Sequence, residues 1–90
     1  MKYLRHIFLS SLLFLSQVAL ALPEGVVNVN TAAPEALASA LDGVGSSKAI
    51  AIVEYREEYG EFVSIEDLLD VRGIGPKVIE TNRKKIALTD

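Results

Sequence analysis

Two short stretches, LDGVGSSKAIA and DVRGIGPKVIE, carry the same punctuation thirty residues apart. In each, two glycines flank one apolar residue, Gly43-Val44-Gly45 and Gly73-Ile74-Gly75, and a helical pattern follows at once. Glycines at such a junction predict a tight turn, because they supply positive φ and close backbone approach. Written twice in ninety residues, the signal predicts an internal repeat: helix, G-x-G, helix, linker, helix, G-x-G, helix. Val44 and Ile74 are placed to plug the gap between the helices they join.

The elements follow from start and stop signals. Val26 to Thr31 reads as extended and too short for a sheet of its own. Pro34 opens the first helix, where its missing N–H has no intrahelical partner anyway, although Ala33 is a poor cap. Leu37 and Leu41 share a face of it, and Asp42-Gly43 ends it. The second helix runs from about Ser46 to Tyr59, with Ala49, Ile52, Val53 and Arg56 at helical spacing, Ile50 widening the apolar stripe and Gly60 as the stop. Ser64 opens a short third helix with Asp67 at capping-box spacing and Leu68, Leu69 and Val71 as its apolar residues. Pro76 begins the fourth, which carries Val78 and Ile79 inward and reaches about Lys85, after which Ile86 and Leu88 fold back on the core. The expected fold class is all-α, with two hairpins and four to five short helices over residues 26–90.

The N-terminus carries a different signal. Lys2 and Arg5 precede an apolar run from about Ile7 to Leu15, and Ala19-Leu20-Ala21 follows. A positive start, a short apolar stretch and an A-x-A ending describe a secretory signal peptide over residues 1–21, with 22–25 as a short linker. The run is short for a membrane span of roughly 20 residues, so no stable anchor is expected after cleavage. Losing the leader leaves seven basic against twelve acidic residues, a net charge of −5, and removes the lone histidine, His6. With no cysteine in the chain, disulfides and cysteine zinc sites are excluded, and helix packing must stabilise the domain.

At each G-x-G the following helix presents unpartnered N–H groups and the positive end of its dipole, which together suit a phosphate. Lys48 and Lys77 lie two to three residues past the second glycine and add charge there. Two such sites related by an approximate twofold could grip phosphates on opposite strands of a duplex without reading bases. Charge is uneven along the chain: residues 71–85 hold five bases against Glu80, while Glu54 to Asp70 holds seven acids against Arg56. The run Arg83-Lys84-Lys85 reads first as a complement to a helix C-terminus, although Lys84 lies seven residues from Lys77 on the same expected face. Tyr55, Tyr59 and Phe62 read as packing around a helix end, and Glu57-Glu58 and Glu66-Asp67 as solvated surface. Ser46 and Ser47 have no histidine to activate them once the leader is gone. Nothing reads as an enzyme, and no cofactor or metal is expected.

The order Asn28-Val29-Asn30-Thr31-Ala32-Ala33, Gly43-Val44-Gly45, Ala49 through Tyr55-Arg56-Glu57, Gly60-Glu61-Phe62, Ser64-Ile65-Glu66-Asp67-Leu68 and Gly73-Ile74-Gly75 resembles the ComEA-type helix-hairpin-helix family over about residues 26–88. The resemblance implies a tandem helix-hairpin-helix fold that binds double-stranded DNA without sequence preference and serves DNA uptake in natural competence. It implies that Gly43, Val44, Gly45, Gly73, Ile74 and Gly75, with Lys48 and Lys77, face the phosphates; Ser46 and Lys84 join them as candidate DNA-binding residues. Short forms with only a signal peptide are periplasmic, which is the location implied here, with DNA-uptake pilus or inner-membrane channel components as candidate partners. Ser46-Ser47 departs from the Pro-Lys pair frequent after the first hairpin. With the acidic balance, that departure motivates the rival reading of a cell-envelope protein-interaction module without useful DNA affinity.

Overall fold

The computed structural model describes residues 21–90. The expected leader lies in the preceding residues, outside the described part. Among the described residues, no helix is long and apolar enough to cross a membrane. In chain order the elements are β1 (Val27–Asn28), α1 (Pro34–Ala40), α2 (Ser46–Tyr59), a 3-10 helix (Ile65–Asp70), α3 (Pro76–Asn82), a 3-10 turn (Arg83–Lys85) and β2 (Ile86–Ala87). The molecule is an all-α tandem helix-hairpin-helix fold, its only described strands being one two-residue pair.

α1 starts as its sequence dictates: Ala33 stands at the cap with no side-chain bond, and Pro34 occupies the first turn. Leu37 and Leu41 are both buried. α2 buries Ala49 and Ile52 and stops at Gly60, whose N–H still reaches Arg56 O at 2.9 Å and whose φ of 96° turns the following chain out of the helix. Ile50 does not widen the inward stripe but stays 47% exposed. At roughly 100° per residue it points about 200° away from Ile52.

The third helix is 3-10 rather than α. Asp67 Oδ2 accepts from the Ser64 N–H at 3.2 Å and from the Val63 N–H at 2.9 Å, so the expected capping contact is formed. These backbone bonds, the Val63 N–H first, hold the Asp67 carboxyl below its ordinary range. At three residues per turn, Leu68 and Val71 stack on one side and are buried, whereas Leu69 turns outward. α3 ends at Asn82, short of Lys85, because Asn82 leaves the helical region at φ −111°, ψ 3°. The tighter turn then delivers Ile86 to the core.

Ile86 is buried and Leu88 packs against the core, as expected. The extended N-terminal stretch finds its partner there. β1 and β2 pair in parallel, Val27 with Ile86 and Asn28 with Ala87, and the Val29 N–H donates to Ala87 O at 3.0 Å. A parallel pair needs a long crossover; here the crossover is the whole helical repeat. Asn30 completes the closure: its Oδ1 accepts from the Phe62 N–H at 2.7 Å, and its Nδ2 donates to Phe62 O and Leu88 O at 3.0 Å. The core joins Val29, Leu37, Ile52 and Leu68, each almost wholly buried. Each such side chain contributes on the order of 1.5–3 kcal/mol.

Candidate nucleic-acid interface

Both G-x-G stretches fold into the same device. In the first hairpin Gly43 takes φ 80°, the Val44 N–H returns to Leu41 O at 3.3 Å, and Gly45 stands at the cap of α2. In the second, Gly73 takes φ 91°, the Ile74 N–H returns to Val71 O at 3.1 Å, and Gly75 stands at the cap of α3. The bonds from Ala49 N to Gly45 O and from Ile79 N to Gly75 O are the first across each cap. The N–H groups of Ser46, Ser47 and Lys48, and of Lys77 and Val78, precede those bonds and face out of the helix ends; Pro76 has none to offer.

Two expectations need correction. Only the first glycine of each pair requires positive φ, since Gly45 and Gly75 sit at −82° and −109°. A Cβ added to either would meet nothing within 4 Å, so the fold itself does not demand glycine there. Val44 and Ile74, at 3% and 6% exposure, are core residues. Their side chains plug the hairpins from inside and their N–H groups are spent in the turns, so neither side chain presents itself to a ligand.

The two lysines are not equivalent. Lys48 lies five residues past Gly43, and Lys77 four past Gly73. Lys48 is half-buried; its ammonium donates to Gly43 O at 3.2 Å, and its stem crosses to the other hairpin. A methyl group built on Gly73 would approach Lys48 Cγ to 3.2 Å. Val78, five past Gly73, takes the reciprocal position, 3.9 Å from a methyl built on Gly43. This exchange is the mark of the twofold anticipated from sequence. Lys77 is exposed and corresponds to Ser47.

Ion pairs sort the remaining bases. Arg83 Nη1 meets Glu66 Oε2 at 2.8 Å and Nη2 meets Glu80 at 3.6 Å; Lys85 Nζ meets Asp42 Oδ2 at 2.7 Å. The Arg83 hydrogen bond draws the Glu66 carboxyl below its ordinary range and in turn raises the guanidinium. Arg56 donates to Val29 O at 2.9 Å. Among the described residues, Arg72, Lys77 and Lys84 are the exposed bases with no carboxylate within 4.0 Å. Of the run Arg83-Lys84-Lys85, Lys84 alone is exposed and without a carboxylate partner.

The aromatic residues cluster as packing predicts. The Tyr55 ring stacks on Phe62 at 5.4 Å and meets Tyr59 at 4.6 Å, while Tyr59 remains 67% exposed. A groove of about 310 Å³ beside them is lined by Glu54, Tyr55, Glu58, Tyr59, Asp70 and Arg72. Burial, followed by Asp70, whose carboxylate accepts from the Tyr55 hydroxyl at 3.4 Å, raises the Tyr55 phenol above its ordinary value.

Asn82 escaped the sequence reading. It is fully buried, accepts from the Asp42 N–H at 2.8 Å, and donates to Asp42 O at 2.8 Å and Val78 O at 2.9 Å. The available signal was register: Asn82 lies nine residues past Gly73, where the first half has the core residue Ile52 nine past Gly43.

Comparison with known proteins agrees with this geometry. The family model described as the helix-hairpin-helix motif matches residues 23–87, so the chain belongs to the helix-hairpin-helix family. Over 71 residues it is 45% identical to an uncharacterized protein of Haemophilus influenzae, covering 79% of this chain and 63% of that protein. Over 63 residues it is 49% identical to ComE operon protein 1 of Bacillus subtilis, covering 70% of this chain and 30% of the relative. Over 60 residues it is 40% identical to endonuclease/exonuclease/phosphatase family domain-containing protein 1 of Bos taurus, covering 67% of this chain and 10% of the relative. Each alignment spans less than two-thirds of the relative's own length. Within the family, the chain is of the ComEA type.

Proposed function

We propose that the chain binds double-stranded DNA without sequence preference and acts in DNA uptake, in the periplasm, after loss of its N-terminal leader. The observation that carries this reading is the doubled hairpin in reciprocal contact, each half placing a bare glycine and outward N–H groups at a helix start. Gly45 and Gly75 leave open space where a Cβ would stand, which suits the close approach of a phosphate to backbone. Phosphate oxygens accept from the N–H groups of Ser46, Ser47 and Lys48 at one hairpin and of Lys77 at the other. Arg72 and Lys77 flank the second hairpin and add charge there, and Lys84, past the far end of α3, is a further exposed base in a chain that is acidic as a whole. Phosphate contacts position a duplex without reading it, and with few cations engaged the affinity is on the order of micromolar or poorer. Resemblance to the ComEA type supports the place in uptake: bound copies retain the incoming strand and bias its diffusion inward, with no nucleotide hydrolysis. Pilus or inner-membrane channel components are the partners this role would need.

Fluorescence anisotropy of residues 22–90 tests the reading, with two unrelated duplexes and one single strand at low and moderate salt. Equal, salt-sensitive binding to both duplexes and weaker binding to the single strand are expected. Absence of duplex binding at low salt would overturn it. A second reading, a protein-interaction module of the cell envelope, draws on the acidic groove between Tyr59 and Arg72. Capture of one specific envelope protein together with no duplex binding would favour it.

A further inference from the structure

We propose that Asn82 is a positioning residue for DNA binding: it holds the first hairpin in a set orientation to the second, so that both grip one duplex at once. The proposal rests on the DNA-binding reading above. Asn82 belongs to α3, the helix launched by the second hairpin, yet two of its three hydrogen bonds go to Asp42, the residue that leads into Gly43. Its Oδ1 takes the Asp42 N–H and its Nδ2 gives to Asp42 O, both at 2.8 Å. One bond would set a distance; a paired donor and acceptor on a single backbone residue also set an angle.

Helix packing alone does not ask for this amide. At the matching position of the first half, Ile52 fills the core with an aliphatic side chain. A buried amide is tolerated only while its bonds are made, and what it adds over an aliphatic group is direction. Two further links converge on the same place. Lys85 pairs with the Asp42 carboxylate at 2.7 Å, and the Lys48 stem, whose ammonium donates to Gly43 O, fills the space where a methyl on Gly73 would stand. The entrance to the first hairpin is thus fastened to the second half by two residues, Asn82 and Lys85. Two weak phosphate grips reinforce each other only when their separation matches the phosphates they must reach. The tether supplies that match.

The test uses residues 22–90, since among the described residues every core residue lies between Val27 and Ile86. Asn82→Ala, Ser47→Glu and the double variant are compared with the unaltered protein on a 20-bp duplex across a salt series, well below all melting midpoints. Asn82→Ala is expected to stay helical by circular dichroism and to bind about tenfold more weakly. Its plot of log affinity against log salt is expected to be shallower, because fewer phosphates are held together. Ser47→Glu, which places an anion at the first hairpin, is expected to weaken the unaltered protein but to add little to Asn82→Ala. Unchanged affinity and salt slope in Asn82→Ala, with Ser47→Glu costing the same factor in both backgrounds, would overturn the proposal and leave the amide a matter of stability. If Asn82→Ala does not fold, Asn82→Leu is read by the same criteria, since it fills the site with an aliphatic side chain as Ile52 fills its counterpart and removes all three bonds. No duplex binding by the unaltered protein would be a separate failure, that of the DNA-binding reading itself.

Discussion

The two hairpins share a backbone and differ in what surrounds it. Each turns on a glycine at positive φ, buries its middle residue and opens a helix at its second glycine. The first is tied down: Asp42 is held by Asn82 and Lys85, and Gly43 O by Lys48. The second leaves Arg72 and Lys77 free of carboxylates among the described residues. The repeated motif therefore specifies how a hairpin is made, while the partners across the twofold decide what each hairpin is free to do.

The contrast is most exposed at the first glycines. Gly73→Ala forces a side chain into positive φ and also drives its methyl to 3.2 Å from Lys48 Cγ. Gly43→Ala carries the backbone strain alone, with Val78 at an ordinary 3.9 Å. A loss of about 3 kcal/mol is expected for Gly73→Ala and about 1–2 kcal/mol for Gly43→Ala, read from denaturant midpoints. Adding Lys48→Ala should narrow the gap; equal losses in all backgrounds would dissolve the distinction.

The second glycines sharpen the comparison from the other side. Gly45→Ala and Gly75→Ala meet no neighbour and need no positive φ, so each should shift stability by less than about 1 kcal/mol, the difference between the two residues at a helix cap. Duplex binding should nevertheless fall for both, because the added methyl stands where a phosphate must come. Loss of stability in place of binding would mean that these glycines serve the fold.

The smallest effect concerns the approach to the second hairpin. The Asp67 carboxyl is held low by the backbone N–H groups it accepts from, and that of Glu66 by Arg83. Because folded values lie below unfolded ones, their stabilisation is complete above the ordinary carboxylate range and fades as pH falls through the folded values. Melting points should therefore drop as pH is lowered through about 4 and below. Asp67→Asn should flatten part of that slope, measured by thermal melts in a pH series.

Much of this was legible in the chain. The G-x-G pairs, Pro34 and Pro76 at helix starts, Gly60 as a stop and the Ser64–Asp67 cap are local devices whose partners lie within a few residues. Short-range geometry and backbone sterics determine them, so spacing alone revealed them. Ile50 departs for a related reason: apolar character alone does not set a side, and about 200° of helical turn separates it from buried Ile52. Tertiary structure alone decided the rest. It placed Asn82 on Asp42, forty residues away, joined Asn30 to Leu88 O across fifty-eight, and laid Lys48 over Gly73 rather than leaving it as a twin of Lys77. Such contacts have no signature in local spacing, because a buried amide or a lysine stem is satisfied by whichever distant backbone the packed helices bring to it.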